Sequence, residues 1–406
     1  MSKFSHIAGT FLIEANAGFL NGAGTGDGED KTTTVPKTLM DNGKKVPYVS
    51  AQAWRRWLRN TLIEETGWKK SELKAIDVND KGNTNKIAGE LDPVNCPEDD
   101  IFGYMRTIEE KIPKKLKDEE KKYKKYVETK GIESDEKYQL VVEGYERKIQ
   151  FYKGIIGYNE ENKNKKVKAL IRTSPLMTSL LISLRKQGWR GKDEGFVHLN
   201  EGTPQPYSTE FYTSNLQGIF CLDLDRLGVY KNMGDRVELD QVKVDAFLEQ
   251  GKISKKVVDE KKGWEEYELV NNDELRKERA AELLKALSVL RGGAKQTAFL
   301  TDLSPKAVVL AGLDSGNVIF NSLFEEEYKS SLKFKTEVFK EIVKDYKDRI
   351  KGKVYIGIRK GYISNENEIH ELMQDDEFKN IVEVSSPIEA IKKFNKTELN
   401  YPAGNV

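Results

Sequence analysis

The clearest chemical signal in the sequence is VPYVSAQAWRRWLRNTL, where Ser50, Gln52, Arg55, Arg56 and Arg59 crowd the start of a periodic apolar run. Serine is a preferred N-cap, and a helix start offers free backbone N–H groups and the positive end of a dipole. Both suit phosphate. Glutamine and arginine add side-chain donors, and from Ser50 to Arg59 the helix rises about 13 Å, enough to meet more than one phosphate. A capped helix with a solvated basic face would carry the same residues.

A second candidate is RGGAKQ, Arg291 to Gln296. Glycines permit close backbone approach to a ligand, while Lys295 and Gln296 bring a charge and an amide. The stretch also reads as a helix C-terminus, with Gly292 and Gly293 capping and Lys295 answering the dipole. The third is QGWRGKDEGFVHLNEGTPQPYSTEFYTSN, a projecting arm with Trp189, Arg190, Phe196, His198 and Tyr207. Aromatic rings on such an arm can stack on bases at roughly 1–3 kcal/mol each, or pack against a neighbouring subunit. Carboxylates form the fourth set. Asp223 and Asp225 share a face of an expected strand, and Asp27, Glu29 and Asp30 crowd a glycine-rich loop. Such groups can hold magnesium with a substrate phosphate, although no third ligand is evident and a salt-bridged face explains them as well.

Composition narrows the choices. A formal net charge of +1 excludes whole-molecule attraction to nucleic acid or membrane, so any anion site is a local patch. His6, His198 and His370 stand far apart, and Cys96 and Cys221 are too few for a disulfide framework or a cysteine zinc site. No metal and no cofactor are expected. The stretch MSKFSHIAGTFLIEANAG lacks the pattern of a secretory signal, and no apolar run is long enough to span a bilayer. A cytoplasmic protein with no membrane partner is the expectation. The loop GFLNGAGTGDGED is not closed by GK[ST] and reads as a mobile loop rather than a phosphate cradle.

These groups need elements to hold them. The stretch from Phe4 to Ala15 reads as a strand with Ile7, Phe11 and Ile13 on one face. In the arginine helix, Trp54, Trp57, Leu58, Thr61 and Leu62 share the buried face, Gln52, Arg56 and Arg59 lie opposite, Arg55 sits at the boundary and Gly67 is the C-cap. A core strand is expected within Val167 to Leu184, and another in GIFCLDLDRL, with Cys221, Asp223 and Asp225 on one face. DELRKERAAELLKALSVLRGG predicts a helix ended by Gly292-Gly293, and PKAVVLAGL a strand. A lysine-rich helical insertion (about Lys69 to Lys168) has Tyr123, Tyr126 and Tyr145 as anchors, and a second insertion runs from about Lys231 to Asn271. Without them the order is strand, helix, strand, strand, helix, strand. That is the ferredoxin-like βαββαβ pattern of an α+β fold, also used by RNA-recognition modules. Farther on, Tyr328, Leu332, Phe339, Ile342, Tyr346 and Ile350 predict a long amphipathic helix, followed by a strand VYIGIR and a helix SSPIEAIKKF.

VPYVSAQAWRRWLRNTL, together with GTFLIEANAGFLN, LIRTSPLMTSLL, GIFCLDLDRLGVY and GGAKQTAFLTDLSP, resembles the backbone subunit of type I-B CRISPR Cascade, the DevR-like branch of the repeat-associated mysterious proteins. The resemblance implies a modified ferredoxin-like, RNA-recognition palm with a helical fingers insertion and a β-hairpin thumb. It divides the chain into a first half of the palm at 1–68, fingers at 69–166, a palm strand at 167–185, the thumb at 186–212 and a second palm strand at 213–230. A second insertion at 231–271, the palm helix and strand at 272–320 and a C-terminal extension at 321–406 complete it.

By the same resemblance, several copies would polymerise along one guide RNA (crRNA) with other Cascade subunits, each thumb kinking the RNA. Guide–target pairing would read the target DNA strand in antiviral defence, while the protein holds the backbone. Ser50, Gln52, Arg55, Arg56 and Arg59 would contact guide phosphates, Asn21 would lie near the RNA, and Gly292, Gly293, Lys295 and Gln296 would line the palm groove. Trp189, Arg190, Phe196 and His198 match the thumb by position. One branch of the wider superfamily cuts RNA with a loop aspartate, but the residues around Asp27, Glu29 and Asp30 do not resemble it, so no catalysis is expected. The rival readings are a metal-dependent ribonuclease and an RNA-independent regulator or scaffold.

Overall fold

The computed structural model describes residues 4–25, 32–78, 84–106, 112–130, 136–159, 169–184, 189–197, 205–234, 236–326 and 331–401. The chain forms two units: Met1–Gly67 with Pro175–Asp225 and Asp273–Val406, and Trp68–Ser174 with Arg226–Asn272. The architecture is mixed α+β.

The first unit is built on strand β1 (His6–Gly18). It pairs antiparallel with the long strand Gln205–Asp223 on one side and with Ala307–Leu313 on the other. The sheet continues past Ala307–Leu313 through Ile350–Ile358 to Val382–Ser385, and past the long strand through Leu181–Ser183 and Lys44–Val49 to Thr38–Asp41. Leu176–Thr178 and Trp189–Val197 also pair with the long strand.

Successive side chains on a strand point to opposite faces. Phe11 of β1 meets Trp54 edge-on at 5.4 Å and Phe220 at 6.5 Å on one face of the sheet. Gly218, opposite Phe11, leaves room for that ring: a Cβ there would come within 2.6 Å of it. Ala8 and Leu12 point the other way, into a cluster with Cys221, Val309, Phe320, Phe334, Phe339 and Phe378. Covered on both sides, all seven residues of Ala307–Leu313 are buried, which explains why PKAVVLAGL reads as an unbroken apolar run.

Four sequence expectations need correction. The helix expected from Tyr328 to Ile350 is only Thr336–Asp345. Leu332 and Phe334 are buried with Lys333 between them half-exposed, a period of two, and Leu332–Phe334 is a strand paired with Phe324–Glu326. Tyr328 lies outside the described residues. The single strand expected within Val167–Leu184 is three short ones, Leu170–Arg172, Leu176–Thr178 and Leu181–Ser183, with the first in the other unit. Pro175, with no N–H to donate, stands at the break. Asp225 does not share a strand face with Asp223, because the long strand ends at Asp223 and Leu224–Arg226 is a 3-10 turn. The helix Asn272–Ser288 stops before Gly292. The glycine-rich loop is bordered by paired strands Gly22–Thr25 and Thr33–Pro36, and Asp27, Glu29 and Asp30 lie outside the described residues.

The second unit holds a six-stranded sheet in the order Ile253–Asp259, Trp264–Leu269, Val229–Met233, Arg236–Val237, Leu170–Arg172, Tyr104–Arg106. Segments from both sequence insertions therefore share one sheet. At its centre the Arg172 guanidinium is buried. Nη2 binds the Asp100 carboxylate, Nη1 lies 3.2 Å from Glu238 Oε2, and the group stacks 4.6 Å over the Tyr230 ring. Burial opposes its charge, but Asp100 and its neighbours outweigh that and hold its pKa above the usual value. Helices Ile112–Lys130 and Glu136–Asn159 bring Tyr123, Tyr126, Tyr138 and Tyr145 into one ring cluster with centroids 5.7–6.0 Å apart.

Candidate nucleic-acid interface

The arginine helix, α1 (Ala51–Thr66), begins as its sequence predicts. Ser50 is extended, and its Oγ accepts the Ala53 N–H at 3.4 Å, while Gly67 closes the far end in the left-handed region at φ 65°. Trp54, Leu58, Thr61 and Leu62 are buried, and Trp54 Nε1 donates to the Ser179 carbonyl at 2.8 Å. No carboxylate occupies the first turn, so the positive end of the dipole is left for an anion. Glu64 and Glu65 sit at the unfavourable, C-terminal end. Arg291 compensates there, with Nη2 2.9 Å from Glu64 and Nη1 2.7 Å from Glu65, and these bonds raise its pKa.

The three arginines of α1 do different things. Arg56 is exposed, as is Gln52 in the first turn. Arg55 is half-buried and turned toward the sheet, where Nη1 donates to the Leu176 carbonyl at 2.5 Å and approaches Thr178 Oγ1 at 3.5 Å. Burial lowers its pKa from the usual arginine value. Arg59 is half-buried and engaged within the fold.

The segment Phe19–Asn21, just after β1, joins the other candidates to this helix start. Asn21 Oδ1 accepts the Ser50 N–H at 3.0 Å, and the Leu20 carbonyl accepts the Ala294 N–H at 3.0 Å. The glycine loop is thereby brought beside α1. Gly292 (φ 149°) passes against the Trp57 ring, which leaves no space for a side chain, and Gly293 has φ 98°. Lys295 is in the left-handed region at φ 49°; its exposed side chain donates to Thr209 Oγ1 at 2.6 Å and lies 5.4 Å from the Phe19 ring centroid. Gln296 Oε1 accepts the Thr301 N–H at 3.0 Å, while its buried Nε2 has no partner.

Thr209 belongs to the hairpin formed by Trp189–Val197 with the long strand. Phe211, two residues on, meets Phe299 at 5.5 Å, so the hairpin base adjoins the glycine loop. Trp189 and Phe196 occupy register positions opposite Thr213 and Pro206, and His198 lies outside the described residues. Arg190 is drawn elsewhere, with Nη2 donating to the Lys45 carbonyl at 2.9 Å.

The structure thus links Asn21, Ser50, Gly292, Gly293, Lys295 and Gln296 through Phe19–Asn21, leaves Gln52 and Arg56 exposed on the helix that Ser50 caps, and assigns Arg55 and Arg190 to other contacts. Phe19 and Thr209 were missed by sequence reasoning. Phe19 stood in the quoted GFLN, but nothing in the sequence paired it with a lysine far along the chain. Asp223 and Asp225 form a local turn, with the Asp225 N–H donating to Asp223 Oδ1 at 3.1 Å and His6 Nε2 3.9 Å from Asp223 Oδ2. Among the described residues no group of three histidine, cysteine or carboxylate side chains could hold a metal ion, and no helix is long and apolar enough to cross a membrane.

No curated protein matches the chain. Two solved structures similar to it are a "CRISPR RNA-guided surveillance complex" chain and a chain of a "CRISPR RNA-guided surveillance complex, pre-nicking". The first is 12% identical with a TM-score of 0.44, covering 96% of this chain and 98% of its own. The second is 12% identical with a TM-score of 0.43, covering 95% and 98%. Residues 155–332 match the family described as "CRISPR-associated negative auto-regulator DevR/Csa2". That span contains LIRTSPLMTSLL, GIFCLDLDRLGVY and GGAKQTAFLTDLSP, while α1 and β1 lie outside it. For those three motifs the likeness read from the sequence is shown, as a likeness of residues 155–332 to the DevR/Csa2 CRISPR-associated family.

Proposed function

We propose that this chain is a non-catalytic, guide-RNA-binding backbone subunit of a type I-B CRISPR Cascade complex. The observation that carries the reading is the convergence of three distant segments on an open helix start. Asn21 binds Ser50, Leu20 binds Ala294 and Lys295 binds Thr209, and Gln52 and Arg56 are exposed on the helix that Ser50 caps. Backbone N–H groups, an amide and two cations on these linked segments suit a phosphate backbone and leave base edges unread. Gln52, Arg56 and Lys295 would hold guide phosphates, with Asn21, Ser50, Gly292, Gly293 and Gln296 shaping the groove. Arg55 would position α1, and Arg59 would contribute with it.

The antiparallel order Ala307–Leu313, β1, long strand, Leu176–Thr178 supports a modified ferredoxin-like palm. The hairpin of Trp189–Val197 fits the thumb, with Trp189 and Phe196 as its contacts, and the helix pair Ile112–Lys130 and Glu136–Asn159 fits the fingers. Copies of the chain and other Cascade subunits would assemble in the cytoplasm on one crRNA, which would pair with the target DNA strand in antiviral defence. A bare RNA-recognition module stacks bases on its open sheet face. Here residues such as Phe320, Phe334 and Phe339 cover that face beneath β1, so the RNA would run past the sheet's end, over Phe19–Asn21.

The test is to express the chain with its partner subunits and a guide, purify it, and size and sequence any bound RNA. Guide-length RNA in a multi-copy assembly is expected. A clean monomer would refute the reading and favour an RNA-independent regulator; the matched family's description names a negative auto-regulator. A nuclease would instead lose RNA cleavage on alanine substitution at Asp27, Glu29, Asp30, Asp223 and Asp225.

A further inference from the structure

The helix Pro387–Thr397 opens on a serine cap, with Ser386 Oγ accepting the Glu389 N–H at 3.4 Å and Pro387 in the first turn. Ala390, Ile391, Phe394 and Asn395 are buried, and Phe394 meets Tyr355 of the sheet edge-on at 5.5 Å. Ile388, Ile391 and Asn395 recur every three or four residues and so share a face. With Ala281 of the helix Asn272–Ser288, Val289 just after it and Tyr401, they line a cavity of about 200 Å³. Asn395 is a polar residue on this apolar wall, only 7% exposed. Its Nδ2 donates to the Ala281 carbonyl at 3.0 Å, and because a carbonyl can only accept, the amide cannot turn over. Oδ1 is thereby left buried with no partner. A buried acceptor without a donor is costly, so this atom is where a donor from outside the chain gains most.

The other polar groups of the lining are engaged. Ser288 Oγ donates to the Lys285 carbonyl at 2.7 Å, and the Tyr401 hydroxyl to Glu282 at 3.4 Å. Lys285 pairs with Glu282 at 3.7 Å, Lys392 with Glu389 at 3.5 Å and Glu65 with Arg291 at 2.7 Å. With every charge matched, the ligand that fits is neutral and apolar and carries one N–H. Size narrows it further. A dry apolar cavity of about 150 Å³ takes benzene, so this one has room for two fused rings. We propose that the pocket receives the indole of a tryptophan on a partner polypeptide, its ring packed against Ile388, Ile391 and Val289 and its N–H donating to Asn395 Oδ1. A free small molecule is held by several convergent polar groups, and here there is one. A tryptophan arrives on a chain that makes further contacts, and it is among the side chains most enriched as interface anchors. Glu65 lies about 22 Å along α1 from Ser50, so the partner sits clear of the anion site.

The first measurement is ligand-observed NMR on the full native chain with indole and with indene, which has the same shape but a CH2 in place of the N–H. Indole should bind roughly two- to tenfold more tightly, the ratio that one net hydrogen bond supplies. Ile388 is half-exposed, so Ile388→Trp should fill the pocket from within and abolish binding of both probes without lowering the urea midpoint. Equal affinity for the two probes, or binding of neither, overturns the inference on the native chain alone. The second measurement places a photo-cross-linking residue at Lys392 in the chain expressed with its partner subunits and a guide. A cross-link to a tryptophan-containing segment of another subunit, suppressed by excess indole, is the expected result. Indole binding with cross-links only inside the chain itself makes a free small molecule the occupant and overturns the partner assignment. Loss of bound RNA in these samples bears on the guide-RNA reading and not on this one.

Discussion

Arg55 and Arg56 are adjacent and chemically identical, yet the structure gives them separable roles. Arg55 Nη1 donates to the Leu176 carbonyl at 2.5 Å from a half-buried position, and Arg56 is exposed. A hydrogen bond from a charged donor contributes roughly 1.5–3 kcal/mol, so Arg55→Ala should cost about that much stability and loosen α1 from the sheet. Arg56→Ala should stay within about 0.5 kcal/mol of the native stability. Binding should sort the other way. Each lost phosphate contact on a single strand lowers the slope of log K against log salt by about 0.7, so Arg56→Ala should flatten it by about that amount per copy. Between 50 and 200 mM salt this is roughly a 2.6-fold difference in how far affinity falls. Urea unfolding of both variants, with fluorescence anisotropy on labelled guide RNA across that salt range, measures every quantity. If Arg56→Ala leaves the salt slope unchanged while Arg55→Ala alone flattens it at native stability, the division of labour in α1 is wrong.

Gly292→Val would place a side chain in the Trp57 ring from a φ of 149°, and should destabilise the first unit by roughly 1–3 kcal/mol, read as a lower urea midpoint. Arg172→Met strands Asp100 and Glu238 in the interior and should cost about 3–5 kcal/mol, seen as preferential proteolysis within 68–174 and 226–272. Burial raises the pKa of Asp302, but bonds from Lys306 and Ser304 outweigh it and hold the group below the usual aspartate value. Its stabilising effect is therefore complete above the unfolded pKa of about 3.9 and is lost as pH falls through the lowered folded value. RNA affinity from pH 8 to 5 should accordingly be the same in Asp302→Asn and the native chain apart from a constant offset, and an offset that changes within this range would count against the assignment.

Much of α1 was legible because its signals are local. A serine cap, a tryptophan stripe and a closing glycine all lie within one short stretch and need no partner to be read. The segment from Tyr328 to Ile350 misled for the same reason. Leu332, Phe339, Ile342 and Tyr346 fit helical spacing, but Phe334 with half-exposed Lys333 before it satisfies strand alternation, and pairing with Phe324 decided the outcome. Arg172 gave no sign in LIRTSP that it would be buried, since its carboxylate partners lie 72 and 66 residues away. The candidate anion site was legible as separate parts. Its assembly was not, because it depends on Phe19–Asn21 linking a helix start to a loop far along the chain, and no local periodicity encodes that.

The long strand has a mechanical consequence. It runs 19 residues, about 60 Å at 3.4 Å per step, from the arm into the middle of the sheet. Tyr212 pairs with Arg190 in the hairpin and with Gly18 in β1, so the two ladders overlap along the long strand, across a bulge of β1 between Ala15 and Gly18. The described part of the arm is therefore a cantilever clamped in the core rather than a flap on a hinge. A load at its outer end is carried in shear by ladder hydrogen bonds on both sides of one continuous backbone. A pliant polymer laid against such a beam takes its curvature from the protein.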